Sequence, residues 1–196
     1  MPTRRFPLLL LLVITGLLPG CDYTPRSLPP IETYFSPKGG VTDAVVTEID
    51  RARQTVFVQA YSFTSHPIAE ALVRAQQRGV VVHVILDRSN RTEKYSSADF
   101  LAHAGMTVLI DARHEIAHNK IMILDGEVVI TGSFNFTHQA EVENAENLLI
   151  IRDRDIASRY LENWHEHEVH SEPYQGRGTA ADEPPAEFHH GSRHRK

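Results

Sequence analysis

Residues Ile116–Thr137 read IAHNKIMILDGEVVITGSFNFT, two apolar runs joined by Asp125-Gly126. Asp-Gly between apolar runs is a strong signal for a two-residue hairpin turn. In that register Leu124 faces Glu127, Lys120 faces Thr131 and His118 faces Ser133. Side chains alternate along a strand, and directly opposed residues share a face. His118, Lys120, Ser133 and Asn135 are therefore expected on one side. Ile121, Ile123, Val128 and Ile130 are expected on the other, as core.

The polar side of this hairpin gathers an imidazole, an ammonium, a hydroxyl and an amide. It contains no carboxylate pair and no His/Cys set at metal-ligand spacing. The site is thus expected to work without a metal or other cofactor. A donor-rich cluster of this kind suits an anion, and phosphate is the obvious candidate. Histidine can attack phosphorus or donate a proton. Lys120 and Asn135 can stabilise charge on the non-bridging oxygens of a five-coordinate transition state. A single histidine on a strand is more often structural than catalytic; four convergent polar groups argue for a site. Asp125 lies five residues beyond Lys120, about 16 Å along a strand, so its role is the turn.

Outward from the hairpin, the chain alternates strands and helices. Glu32–Ser36 reads as a short strand, ended by Pro37 and Gly39-Gly40. Val41–Arg53 has helical apolar spacing. Thr55–Phe63 and Val80–Asp87 read as buried strands. The helix between them starts near Ser65 or His66 with Pro67 in its first turn, and ends at Gly79. This order implies a right-handed crossover and a parallel pair. Arg88–Ser97 is a polar loop whose Arg88, Arg91 and Lys94 read either as a solvated surface or as a positive rim for a phosphodiester. A short helix Ala98–Ala104, strands Thr107–Ile110 and Asn147–Ile151, and a last helix capped by Asp153 complete the pattern. Parallel strands plus a hairpin give an α/β fold, a mixed sheet flanked by helices, in one domain.

The 196 residues carry a net charge of −5. That excludes a broadly basic surface, so any nucleic acid must bind at a local positive site. One cysteine, Cys21, excludes an intrachain disulfide. At the N-terminus Arg4 and Arg5 precede the apolar run Phe6–Leu18, which is 13 residues long where a membrane span needs about 20. This reads as an export signal over 1–20. Leu18-Pro19-Gly20-Cys21 resembles a bacterial lipobox, which makes Cys21 a lipid anchor; ordinary signal cleavage is the alternative. Residues 21–30 read as a tether, 31–170 as the domain. The polar stretch 171–196 reads as a disordered tail whose histidines are solvated rather than metal-binding.

His118-Asn119-Lys120, Asp125 and Gly132-Ser133-Phe134-Asn135 together resemble the HKD motif of the phospholipase D superfamily. YFSPKGG, VQAYSFTS, VILDRSNRTEKYSS and NAENLLI resemble segments of its small, single-motif endonuclease branch, so the likeness runs over about residues 31–168. The resemblance implies a phospholipase D/nuclease fold and a covalent phosphohistidine on His118. It implies that Lys120 and Asn135 bind phosphate with help from Ser133, that Asp125 and Gly132 are motif positions, and that Glu146 orients the histidine. By sequence alone Glu146 is one of three neighbouring acids with Glu141 and Glu143.

The family reaction uses two histidines, and this chain has one motif. A two-fold homodimer that brings both His118 side chains together is the simplest solution. The expected function is a metal-independent, non-specific periplasmic endonuclease on DNA or RNA. The alternatives are a phospholipase D acting on membrane phospholipid and a non-catalytic anion-binding lipoprotein.

Overall fold

A computed structural model describes residues 28–177. The expected export signal, Cys21, most of the tether and the tail beyond 177 lie outside the described residues. In chain order the elements are β1 (Ile31–Ser36), α1 (Val41–Arg51), β2 (Thr55–Ala60), α2 (His66–Gln77), β3 (Val81–Asp87), a 3-10 turn (Arg88–Arg91), α3 (Ala98–His103), β4 (Thr107–Asp111), β5 (Lys120–Leu124), β6 (Val128–Gly132), α4 (His138–Val142), β7 (Glu146–Arg152), α5 (Arg154–Glu168) and β8 (Glu172–Pro173).

The strands form one sheet in the order β1-β7-β6-β5-β2-β3-β4-β8. β2, β3 and β4 are parallel, as the strand-helix-strand order predicts, and the remaining pairs are antiparallel. Both faces are covered. Val41, Val45 and Ile49 of α1, Ile68 and Leu72 of α2 and Leu101 of α3 pack on one face. Trp164 of α5 anchors the other among Ile85, Ile121, Ile123 and Val129, and its indole N–H donates to the Val58 carbonyl at 2.9 Å. Two-sided burial is why β3 is apolar at successive positions, with His83 its one internal polar residue.

The antiparallel pairings bring one end of many strands to a common edge. Lys120 opens β5 opposite Ala60, the last residue of β2. Gly132 closes β6, and Glu146 opens β7 opposite Ser36, the last residue of β1. Asp87 and Asp111 close β3 and β4 in register. β1 enters from the opposite edge, where Ile31 pairs with Ile151.

The hairpin forms with a different register. Leu124 pairs with Val128, Ile123 with Val129 and Ile121 with Thr131, so Asp125, Gly126 and Glu127 make a three-residue turn. Asp125 and Gly126 both have positive φ, 53° and 65°, and the Glu127 amide closes the loop on the Leu124 carbonyl at 3.0 Å. Val128 and Ile130 consequently share a core with Met122 and Leu124 rather than with Ile121. His118 and Ser133 do not pair across a ladder, because β5 begins at Lys120 and β6 ends at Gly132.

Asp125 does more than turn the chain. Its carboxylate accepts the backbone amides of Arg53 (2.9 Å), Gln54 (2.8 Å) and Thr55 (3.0 Å), and its own amide donates to the Thr55 carbonyl at 2.9 Å. A charged acceptor on the otherwise unpaired amides that lead into β2 locks the hairpin to the central strand. The polar segment expected to be disordered from 171 is ordered as far as 177. β8 pairs with β4, and the Tyr174 hydroxyl donates to Asp99 at 2.7 Å.

Asp125→Ala is expected to lower unfolding free energy by about 2–4 kcal/mol, since hydrogen bonds to a charged acceptor contribute more than neutral ones. Urea denaturation of the variant and parent measures this; an unchanged midpoint would contradict the anchoring role.

Candidate active site

The site occupies the common edge. β2 continues past Ala60 when the Tyr61 amide donates to the Asn119 carbonyl at 2.9 Å. This sets Tyr61 beside the segment carrying His118 and Lys120. The rings of Tyr61 and His118 lie 4.7 Å apart, and Lys120 Nζ sits 4.9 Å from the Tyr61 ring centre. Lys120 Nζ also donates to the His118 carbonyl at 2.7 Å. His118 is exposed and Lys120 is buried.

Beyond Gly132 the chain leaves β6 through a bulge. The consecutive amides of Ser133 and Phe134 both donate to the Asn147 carbonyl, at 3.1 and 3.2 Å. A Cβ on Gly132 would lie 2.3 Å from that oxygen, so only glycine allows the approach. The Phe136 carbonyl then accepts the amides of Thr64 and Ser65 past the end of β2. In sheet order β5 and β6 lie between β7 and β2. Residues 133–136 therefore cross the strand ends above the start of β5, with Phe134 and Phe136 buried as pegs. This crossing, not a shared hairpin face, brings Ser133 and Asn135 to the edge that carries Lys120.

Ser133 Oγ accepts the Asn147 amide at 3.1 Å and its side-chain nitrogen at 3.2 Å. The Asn135 side-chain oxygen is buried with no hydrogen-bond partner among the described residues. That oxygen is an acceptor, so contact with an anion falls to the Asn135 amide nitrogen.

The three acids that sequence leaves equivalent separate cleanly. Glu141 caps α1, accepting the amides of Gly40 (3.1 Å) and Thr42 (2.7 Å). Glu143 takes the Gln139 side chain at 3.2 Å. Glu146 accepts Asn144 Nδ2 at 3.1 Å, and its charge acts on Lys120.

Burial drives the Lys120 ammonium down to about 8, against the pull of the Glu146 and Asp87 carboxylates, which favour the charged form. The polar rim is weaker than its composition suggests. Arg88 is paired with Glu115 at 3.1 Å and Arg91 with Glu172, while Lys94 lies 5.3 Å from the ring centre of Tyr95.

Three contributors escaped the sequence reading. Tyr61 packs on both the His118 and the Lys120 side chains. Asp87 is buried and accepts the Ala117 amide at 2.7 Å, fixing the chain just before His118. Asn90, also buried, donates to the carbonyls of Tyr61 (2.7 Å) and Asp87 (3.1 Å) and accepts from Ser96. The available signal was a polar group closing each apolar strand.

An exposed imidazole and a buried ammonium packed on one tyrosine, at the open edge of a mixed sheet, suit an anionic ester such as a phosphate. Residues 45–167 match the family model described as cardiolipin synthase, PLD-like domain. The chain belongs to the phospholipase D superfamily and is a phosphodiesterase of that class. Phospholipase D of Rickettsia felis is 47% identical over 134 residues, 68% of this chain and 67% of the relative. Mouse mitochondrial cardiolipin hydrolase is 34% identical over 154 residues, 79% of this chain and 66% of that protein. Among solved structures, Nuc of Salmonella typhimurium, a phospholipase D family member, aligns with a TM-score of 0.72 at 35% identity, covering 74% of this chain and 98% of Nuc. The chain spans about two thirds of the length of the curated relatives.

The lowered Lys120 value makes a signed prediction. Between about 8 and the ordinary 10.5 the folded chain holds fewer protons than the unfolded chain. Stability therefore carries a penalty that is full below pH 8 and is lifted as pH rises through that window. The stability of Lys120→Met relative to the parent is expected to fall steadily from pH 8 to pH 10. Urea titrations across that range measure it; a difference independent of pH would refute it.

Proposed function

We propose that this chain is an exported, metal-independent phosphodiesterase that works through a covalent phosphohistidine on His118, with nucleic acid, DNA or RNA, as its substrate. The observation carrying this reading is the exposed His118 and the buried Lys120 packed together on the Tyr61 ring. A phosphodiester placed over them has its negative oxygens facing Lys120 and Asn135. His118 attacks phosphorus, the bond to the leaving oxygen breaks, and a second histidine gives that oxygen its proton. Water then attacks the phosphohistidine, losing its proton to the same second histidine and freeing His118. Near-complete coverage of Nuc, in a chain with one motif, supports the small endonuclease branch.

Phospholipid is the second reading, favoured by the names of the Rickettsia and mouse relatives. Assays on plasmid DNA, RNA, phosphatidylcholine and cardiolipin, each with chelator at a temperature below unfolding, separate the two. Nicking of plasmid or RNA with no lipid product is expected. Lipid turnover alone would reverse the choice. His118→Ala should lower kcat by about 10³-fold or more, with acid-labile phosphate on the parent enzyme and none on the variant.

The second histidine is proposed to be His118 of another copy across a two-fold axis. Ile116, two residues before His118, is half-exposed and suits an apolar contact near such an axis. Sedimentation is expected to give a dimer whose dissociation on dilution parallels loss of turnover. A fully active monomer is the outcome that sinks this arrangement.

A further inference from the structure

The same sheet edge carries a second cluster that the phosphodiesterase reading does not use. Asp111 closes β4 and is fully buried. One of its carboxylate oxygens, Oδ1, accepts the backbone amides of Arg113 and His114 at 3.1 and 3.4 Å. The other faces three imidazoles: His167 Nδ1 at 2.8 Å, His114 Nδ1 at 2.9 Å and His170 Nε2 at 3.3 Å. A carboxylate oxygen offers about two acceptor directions. The third imidazole is in surplus, and His170 Nε2 is buried without a hydrogen bond. The three rings sit 4.9, 5.2 and 5.4 Å apart, centre to centre.

Three imidazoles that turn their ring nitrogens on one carboxylate oxygen are poor neighbours as cations and good neighbours as ligands. The four candidate ligand atoms lie within 4.8 Å of one another. Tetrahedral zinc, with bonds of about 2.0–2.1 Å to nitrogen and oxygen, sets neighbouring ligand atoms about 3.3 Å apart. The observed Asp–His separations approach that distance. The two halves of the set, Asp111-x2-His114 and His167-x2-His170, each place ligands three residues apart, close enough for one ion to take both members.

We propose that Asp111, His114, His167 and His170 form a closed, structural site for a divalent first-row ion, zinc being the best match to a set of three imidazoles and one carboxylate. Binding releases any protons on the imidazoles. The half-exposed His114 ring gives the ion its access route.

The position gives the site a purpose. It joins the end of β4 to the last turn of α5 just before β8 returns to the sheet. It also fixes the first residues of the segment 111–118, whose far end is held by Asp87 and carries His118. β2 and β3 separate β4 from β5, so the ion sits about 14 Å from the start of β5 at ordinary strand spacing. It touches no reacting group. Its effect is to stiffen the chain leading to His118 and to secure the C-terminal segment, whichever phosphodiester is cut.

The test uses the full chain, stripped with chelator and dialysed, with Zn2+ as the probe. Metal per chain is read by elemental mass spectrometry, stability by thermal melting, and site symmetry by the visible spectrum of the Co2+ form. The expected result is one ion per chain, a rise in Tm on adding zinc, and a four-coordinate cobalt spectrum. The same is expected of a variant with His189, His190 and His194 all changed to Ala. His114→Gln and the His167→Ala/His170→Ala double variant are expected to lose the ion and the Tm rise. His114→Gln, altering an exposed ring, keeps the comparison valid if the double variant does not fold. Binding that disappears with the tail histidines, binding well below one ion per chain, or binding that survives His114→Gln with an unchanged cobalt spectrum would overturn the assignment.

Discussion

The Asn147 carbonyl, accepting two consecutive amides from Ser133 and Phe134, is the contact on which the site geometry depends. It stops β6, bends the chain across the strand ends and sends Ser133 and Asn135 over the start of β5. Gly132 is required because any Cβ would collide with that oxygen at 2.3 Å. Phe134 and Phe136, buried on either side of Asn135, hold the crossing in place. A regular ladder would have carried the same residues along the hairpin, away from β2 and from Tyr61.

Around that crossing, charge is distributed by burial. Lys120 is kept in a poorly solvated position, where its ammonium is less stable than in water. Glu146 and Asp87 offset part of that cost. Asp125 shows the opposite case: its carboxylate is satisfied by three backbone amides and a hairpin that cannot drift relative to β2.

Much of this was legible in the sequence. The long apolar strands, the parallel pair and α1, α2 and α5 follow from period and breakers, and the motif residues follow from their spacing. The turn went wrong by one residue because Asp-Gly is compatible with both two- and three-residue loops, and the side-chain bonds that choose between them come from Arg53–Thr55, far away in sequence. α4 has five residues and β8 two, too few to display a period. Tyr61, Asp87 and Asn90 belong to the site only through sheet order. The Asp111 and His114, His167 and His170 pairs meet only because α5 folds back beside β4. Local pattern carries none of that information.

The direction of β1 sets where the chain enters the sheet relative to the site. Ile31 lies at one edge of the sheet and Ser36 at the other, where Glu146 begins β7. Ile31, where the chain enters the sheet, is therefore separated along β1 by about 17 Å from the strand ends that carry Lys120 and Glu146.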